Sequence, residues 1–508
     1  MKKIDLGVVV TTLIIVTISC SLAFFAARVV GEPKDINLVA KNVAVTFNDT
    51  SIIANGVVSP GWNTTKTFTI TNNSKEEYKY NISIKDLVNT FVTNGYLKYK
   101  ITSTNNGYNM TEFEDIPKSS APKDTILAYS VSIPVGVTQS YTIEFKYAND
   151  ESVDQSDDMG KKLSGTLFIT EGTEEPVTLL SQILKDNPTR STRSNNNNGT
   201  NDFATPLTAT TTGTLFTSTE SITGITDSPK EVYYYAGNTT NNWVKFANLY
   251  WRIIRTNHDG SIRLLYVGTS HDTTSGNIGT SAFNTNYNSP KYVGYKYGED
   301  TSLDTIRNNT TDSTIKTTID TWYQNNLTNY TKYLSTSAVY CNDRSEGTGQ
   351  TYSASVKFNF APYYRMDYDT NGAKANPSYN CTNIKDAFSV DNTSAKLDYP
   401  VSLMTADEIA FAGGVAFKKM NTPYAWFISN STGTQVSTSW WSLSPGNWDD
   451  GRASVWSWGS DTAVLFIAYV DFTSAVRPAI SLKSCIKYST GNGTYEKPYE
   501  IVETTSGC

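Results

Sequence analysis

Trp440-Trp441-Ser442-Leu443-Ser444-Pro445-Gly446-Asn447-Trp448-Asp449-Asp450-Gly451-Arg452-Ala453-Ser454-Val455-Trp456-Ser457-Trp458 carries five of the chain's ten tryptophans, and Trp426 lies just upstream. The stretch reads as two strands, Ser439 to Leu443 and Ser454 to Trp458, joined by a polar loop. Trp440 and Trp441 are adjacent, so on a strand they face opposite ways and at least one is core. Trp456 and Trp458 share a face, with Ser457 opposite. The block contains no His and no Cys, which disfavours nucleophilic or metal chemistry there. Indole-dense hairpins pack cores and also offer flat, rigid faces with an N–H donor. Recognition is therefore expected rather than catalysis.

Gly446 to Arg452 is the expected ligand loop, because loops on rigid scaffolds commonly carry function. Its candidate binding residues are Asn447, Trp448, Asp449, Asp450 and Arg452, with Trp456 on the following strand. An exposed Trp448 is expected, flanked as it is by Gly446 and Gly451. An ordinary hairpin loop is the alternative. Asn447 and Asp449 are also potential calcium ligands, but no E-P-N motif accompanies them, so no metal and no cofactor is assigned.

Outward from this block, Thr462 to Val470 and Val476 to Leu482 read as further strands. Upstream, Asn248 to Arg255 and Ser261 to Val267 form a hairpin turned by Asp259-Gly260. Asp312 is placed to cap a helix with Ile315, Ile319, Trp322, Tyr323 and Leu327 on one stripe. Thr405-Ala406-Asp407-Glu408 is a capping-box pattern ending at Gly413-Gly414. Arg477 is expected to bind within the fold. His258 and His271 read as surface residues.

The N-terminal region, 31–170, breaks into short alternating runs such as Thr67-Phe68-Thr69-Ile70-Thr71, Tyr80-Asn81-Ile82-Ser83-Ile84 and Leu163 to Ile169. About seven such runs imply a β-sandwich. The acidic stretch Asp150 to Asp158 suits a hairpin loop, with calcium as the alternative. Residues 171–205 read as a linker containing a short helix at Val177 to Lys185 and a polar run from Ser194 to Asn198. The remaining 206–508 form the second domain. The fold class is thus mainly β: a sandwich, then a mixed α+β domain, behind an N-terminal anchor in residues 1–30.

That anchor is Leu6 to Ala27, uncharged throughout and long enough, at roughly 33 Å, to cross a bilayer. Lys2 and Lys3 place the short tail inside, so a single-pass protein on the outer face of a cell membrane is expected. Signal cleavage, and lipidation at Cys20, are the alternatives. The other four cysteines, Cys341, Cys381, Cys485 and Cys508, suit two disulfides in an exported region. Three connectivities are possible, and the sequence-adjacent pairs Cys341–Cys381 and Cys485–Cys508 are expected. A net charge of −6 and a pI near 5.2 disfavour nucleic acid.

Residues 35–170 resemble the camelysin/TasA-like family of exported biofilm-fibre proteins, through Val58-Ser59-Pro60-Gly61 before Thr67 to Asn72 and through the late Tyr141-to-Phe145 and Leu163-to-Ile169 strands. The resemblance implies fibre assembly, but not the protease label, since this region has no histidine. Residues 215–485 resemble an uncharacterised domain of bacterial surface proteins, through Trp251 to Arg255, Thr405 to Glu408, Trp440 to Pro445 and Val476 to Ile480. That order is similar to C-type-lectin-like folds, including the formylglycine-generating-enzyme branch. The branch's reactive cysteine pair does not carry over, because Cys485 and Cys508 lie outside the tryptophan block. The expectation is a non-enzymatic cell-surface protein that binds an extracellular glycan or protein. A self-assembling matrix fibre and a surface hydrolase are the alternatives.

Overall fold

A computed structural model describes residues 26–27, 36–40, 43–49, 56–93, 95–193, 203, 206–207, 214–271, 276–366, 376–419, 439–459, 463–504 and 507–508. These are mainly β with short helices, and they separate into two compact units at Glu175/Pro176. Trp426, Cys20 and the Ser194–Asn198 run lie outside the described residues.

The first unit follows from period-two alternation. Asn63–Asn72 and Thr138–Tyr147 pair antiparallel within a six-stranded sheet, while Tyr78–Asn89 is flanked by Leu163–Glu171 and Ser119–Ile133 in a three-stranded one. Phe68, Ile70, Tyr141, Ile143 and Phe145 from the first sheet share one core with Tyr80, Ile82, Ile84, Leu167 and Ile169 from the second. Two sheets closing on one apolar layer is a sandwich.

The second unit holds two larger sheets. The ten-stranded one contains the hairpin Leu249–Thr256 and Ile262–Gly268, extended by Pro478–Leu482 and Val401–Leu403. Gly260 turns the hairpin at φ +74°. The six-stranded one contains Trp440–Asp449, Arg452–Gly459 and Val464–Tyr469 in antiparallel order. Helix Leu179–Asp186 belongs to this unit, not to a linker: Thr178 caps it, and Leu179 and Ile183 sit in the unit's core. Helix Thr314–Asn326 buries Ile315, Ile319 and Tyr323, but Ser313, not Asp312, accepts from the Lys316 N–H as its cap. Helix Ala406–Ala412 opens with the reciprocal Thr405–Glu408 capping box. Both disulfides are present, Cys341–Cys381 and Cys485–Cys508.

The expected membrane anchor is corrected. No helix among the described residues is long and apolar enough to cross a membrane. Ala26–Ala27, at the end of the expected span, form a strand antiparallel to Gly56–Val57. Backbone groups committed to that ladder are not making the internal hydrogen bonds a spanning helix requires. Leu6 to Phe25 lie outside the described residues. The single-pass topology, the membrane as a partner and the cell-membrane location rested on that span, and no helix among the described residues supports them.

Candidate functional site

The tryptophan hairpin is longer and drier than its sequence suggests. The first strand runs on to Asp449, and only Asp450 and Gly451 turn the chain, at φ +49° and +71°. Two successive positive φ values match the tight turn that follows the natural twist of a hairpin. Trp448 is therefore a strand residue. It pairs with Ala453 on one side and with Phe358 on the other, and is only 5% exposed. The expectation of an exposed Trp448 is corrected by this third strand, which covers it. Asn447 and Trp456 are likewise buried, as are Trp440, Trp441 and Trp458. Of the expected ligand residues, Asp449, Asp450 and Arg452 remain accessible.

Those three organise the open end of the hairpin. Asp449 forms an ion pair with Lys357 at 2.5 Å, and Asp450 is exposed. The Arg452 guanidinium pairs with Asp471 and lies over three rings, Tyr469 at 4.3 Å, Tyr287 at 4.8 Å and Phe472 at 5.4 Å. Cation–π contact keeps the rings and the guanidinium in fixed relation. Tyr287 is 42% and Phe472 49% exposed, so two aromatic faces flank a half-sheltered cation. Tyr287, Tyr469 and Phe472 were missed from sequence because they come from two other segments. The aromatic pair Tyr469 and Phe472 around Asp471 was the available signal.

A second cluster lies in the interior. Arg255 contacts Glu220 at 2.8 Å and Glu408 at 2.7 Å, and Arg263 also meets Glu408. Arg365 joins Asp343 and Asp407 at 2.6 and 3.0 Å. Arg255 lies 4.4 Å from the Tyr379 ring centre. Burial pushes the Glu220 carboxyl up, but Arg255 and His258 outweigh it and hold it at about 2. The space these groups enclose is about 20 Å³, room for a water. Charge matched this closely by neighbouring charge positions strands and helix; it leaves no open subsite. Glu408 thus both caps its helix and bridges two arginines, and Asp407 serves Arg365 rather than the cap. Arg477 donates to the Tyr266 carbonyl and lies 5.2 Å from Trp440, and burial draws it down to about 9.

Two acidic groupings are potential cation sites. Carboxylates of Asp312, Asp320 and Asp398 lie within 4.8 Å of one another. The Lys316 ammonium already sits among them, 3.1 Å from Asp312 and 2.6 Å from Asp398, and also bonded to Asp320. Its three donors meet three acceptors, so a metal would have to displace it. In the Asp150–Asp158 stretch, Asp150 accepts from Ser152 and Tyr96, Asp154 from Ser156, and Asp158 from Thr93 and Tyr147. These carboxylates shape their own loop.

Neither a protein-family signature nor a curated protein matches this chain. A solved structure titled "AvmM Catalyzes Macrocyclization in Alchivemycin A Biosynthesis" is similar over 29% of this chain and 99% of its own, at 11% identity and a TM-score of 0.16, too low to assign a fold.

Proposed function

We propose that the second unit is a recognition domain that binds an extracellular ligand through the open end of the tryptophan hairpin. The observation that carries this reading is the Arg452 guanidinium held among Tyr287, Tyr469 and Phe472, with two of those rings 42% and 49% exposed. Rigid aromatic faces beside an arginine are the side chains that dominate binding energy at interfaces. Asp471 balances the guanidinium, so the face suits a ligand read by shape and hydrogen bonds more than by charge. Two disulfides suit work outside a reducing cytosol. The buried tryptophans supply the stiffness behind the face.

The test is binding of the full chain to immobilised glycans and matrix proteins, compared with a Tyr287→Ala/Phe472→Ala variant. The variant is expected to lose at least tenfold in affinity while keeping its melting temperature within a few degrees, because both rings are half out of the core. Unchanged binding by the variant overturns the assignment.

A further inference from the structure

Arg252 and Arg477 lie inside the second unit, at 3% and 2% exposure. Arg252 pairs with Leu265, which pairs in turn with Ala479, and Arg477 stands two positions before Ala479. Residues two apart in extended chain share a face, so both guanidiniums rise from one side of the sheet. Each lies against an indole. The Arg252 guanidinium is 4.1 Å from the Trp243 ring centre, and that of Arg477 is 5.2 Å from the Trp440 ring centre.

The other buried arginines show what is usual here. Further along the same strands, Arg255 and Arg263 face each other and are neutralised by Glu220 and Glu408. Arg344 fills its fork with Asp386, Asn309 and the carbonyls of Lys296, Ile306 and Lys385. Arg252 differs. Its Nη2 donates to the Thr239 carbonyl at 3.1 Å, and its Nε is buried without a partner. Among the described residues its charged neighbour is another cation, Arg477, and no carboxylate pairs with it. Burial, and after it the Arg477 charge, draw Arg252 well below the usual arginine range, a measure of how poorly its charge is compensated. A buried charge needs a partner, and a guanidinium does not shed its proton to avoid the need. Two more donors on these residues are buried and unused, the Thr239 hydroxyl and the Trp440 indole N–H. Unused buried donors are costly, and an ion is one of the things that satisfies them.

We infer that a small inorganic anion is held between Arg252 and Arg477, with the Thr239 hydroxyl and the Trp440 N–H as further donors. Two like charges and a set of donors exclude a cation. A neutral guest leaves the repulsion between the guanidiniums in place, and a bulky one does not reach groups this deeply buried. The guanidinium fork matches the edge of an oxyanion. The site is separate from the aromatic face, and its anion makes the second unit's stability depend on anion supply.

The experiment uses the full chain, unfolded in urea with its disulfides intact, desalted and refolded in gluconate, a bulky anion. Chloride, sulfate or phosphate is then titrated in at constant ionic strength. At least one is expected to raise the melting temperature of the second unit by several degrees and to saturate, as a ligand of the folded state does. Ion chromatography after unfolding the loaded, desalted chain is expected to recover that anion, one per chain. Arg252→Met is expected to abolish the response. Thr239→Val, nearly isosteric, is expected to shift its midpoint to at least threefold higher concentration with unchanged circular dichroism, which keeps the test intact where Arg252→Met does not fold. Equal melting in all four anions with none recovered overturns the inference and leaves water as the partner of these donors. An equal response in wild type and Thr239→Val also overturns it, as a general salt effect.

Discussion

Cutting Trp448 back to a methyl group leaves a cavity bounded by Phe358 and Ala453, the residues opposite it on two neighbouring strands. Trp448→Ala is therefore expected to destabilise the second unit by about 3–5 kcal/mol, as is Trp441→Ala. Denaturant unfolding monitored by fluorescence checks both; an unchanged midpoint for Trp448→Ala would contradict its burial. Glu220 has a different signature. Its carboxyl titrates at about 2 in the fold, against 4.5 when unperturbed. A depressed carboxylate stabilises above its unfolded pKa and loses that contribution as pH falls through the folded one. Between pH 4.5 and 2 this one group should forfeit about 3 kcal/mol. Unfolding free energies measured at pH 7, 4 and 3 should fall accordingly, and Glu220→Gln should be less stable at pH 7 with a flatter acid decline.

Among elements, helix Ala406–Ala412 is short and entirely buried, and it depends on its ends. Thr405 accepts from the Glu408 N–H at 3.1 Å, and Glu408 accepts from the Thr405 N–H at 2.9 Å. Thr405→Ala removes one half of that exchange and is expected to cost about 1 kcal/mol. Glu408→Gln should cost more, about 3–5 kcal/mol, because Arg255 and Arg263 then lose a buried counter-charge. A thermal melt of the two variants side by side distinguishes them: equal losses would mean that Glu408 acts only as a cap. The Thr-x-x-Glu pattern made the cap legible. Arg255 was visible as a motif residue and Arg263 only as part of a strand, and nothing local paired either with Glu408, which lies 153 and 145 positions away.

At the scale of the molecule, the two units have separate cores, one built from residues between Val58 and Ile169 and the other from residues between Leu179 and Ile501. Both disulfides lie in the second. Calorimetry of the full chain should show two transitions, and residues 176–508 expressed alone should reproduce one of them. Reductant should lower only that one, by the equivalent of about 2–5 kcal/mol per lost bridge. A shift in both transitions would show that the units unfold together. Features written in short range were legible in the residues: alternation in Thr67–Thr71 and Tyr80–Ile84, the Asp259-Gly260 turn, the capping box and the sequence-adjacent cysteine pairs. Each depends on backbone period, turn geometry or proximity along the chain, which a few consecutive residues determine. Tertiary structure alone decided that Trp448 is covered by Phe358, that Ser313 caps the helix while Asp312 turns to Lys316, and that Tyr287 meets Arg452. These depend on which distant strand or loop arrives to exclude water, and a short stretch of sequence does not contain its own neighbours.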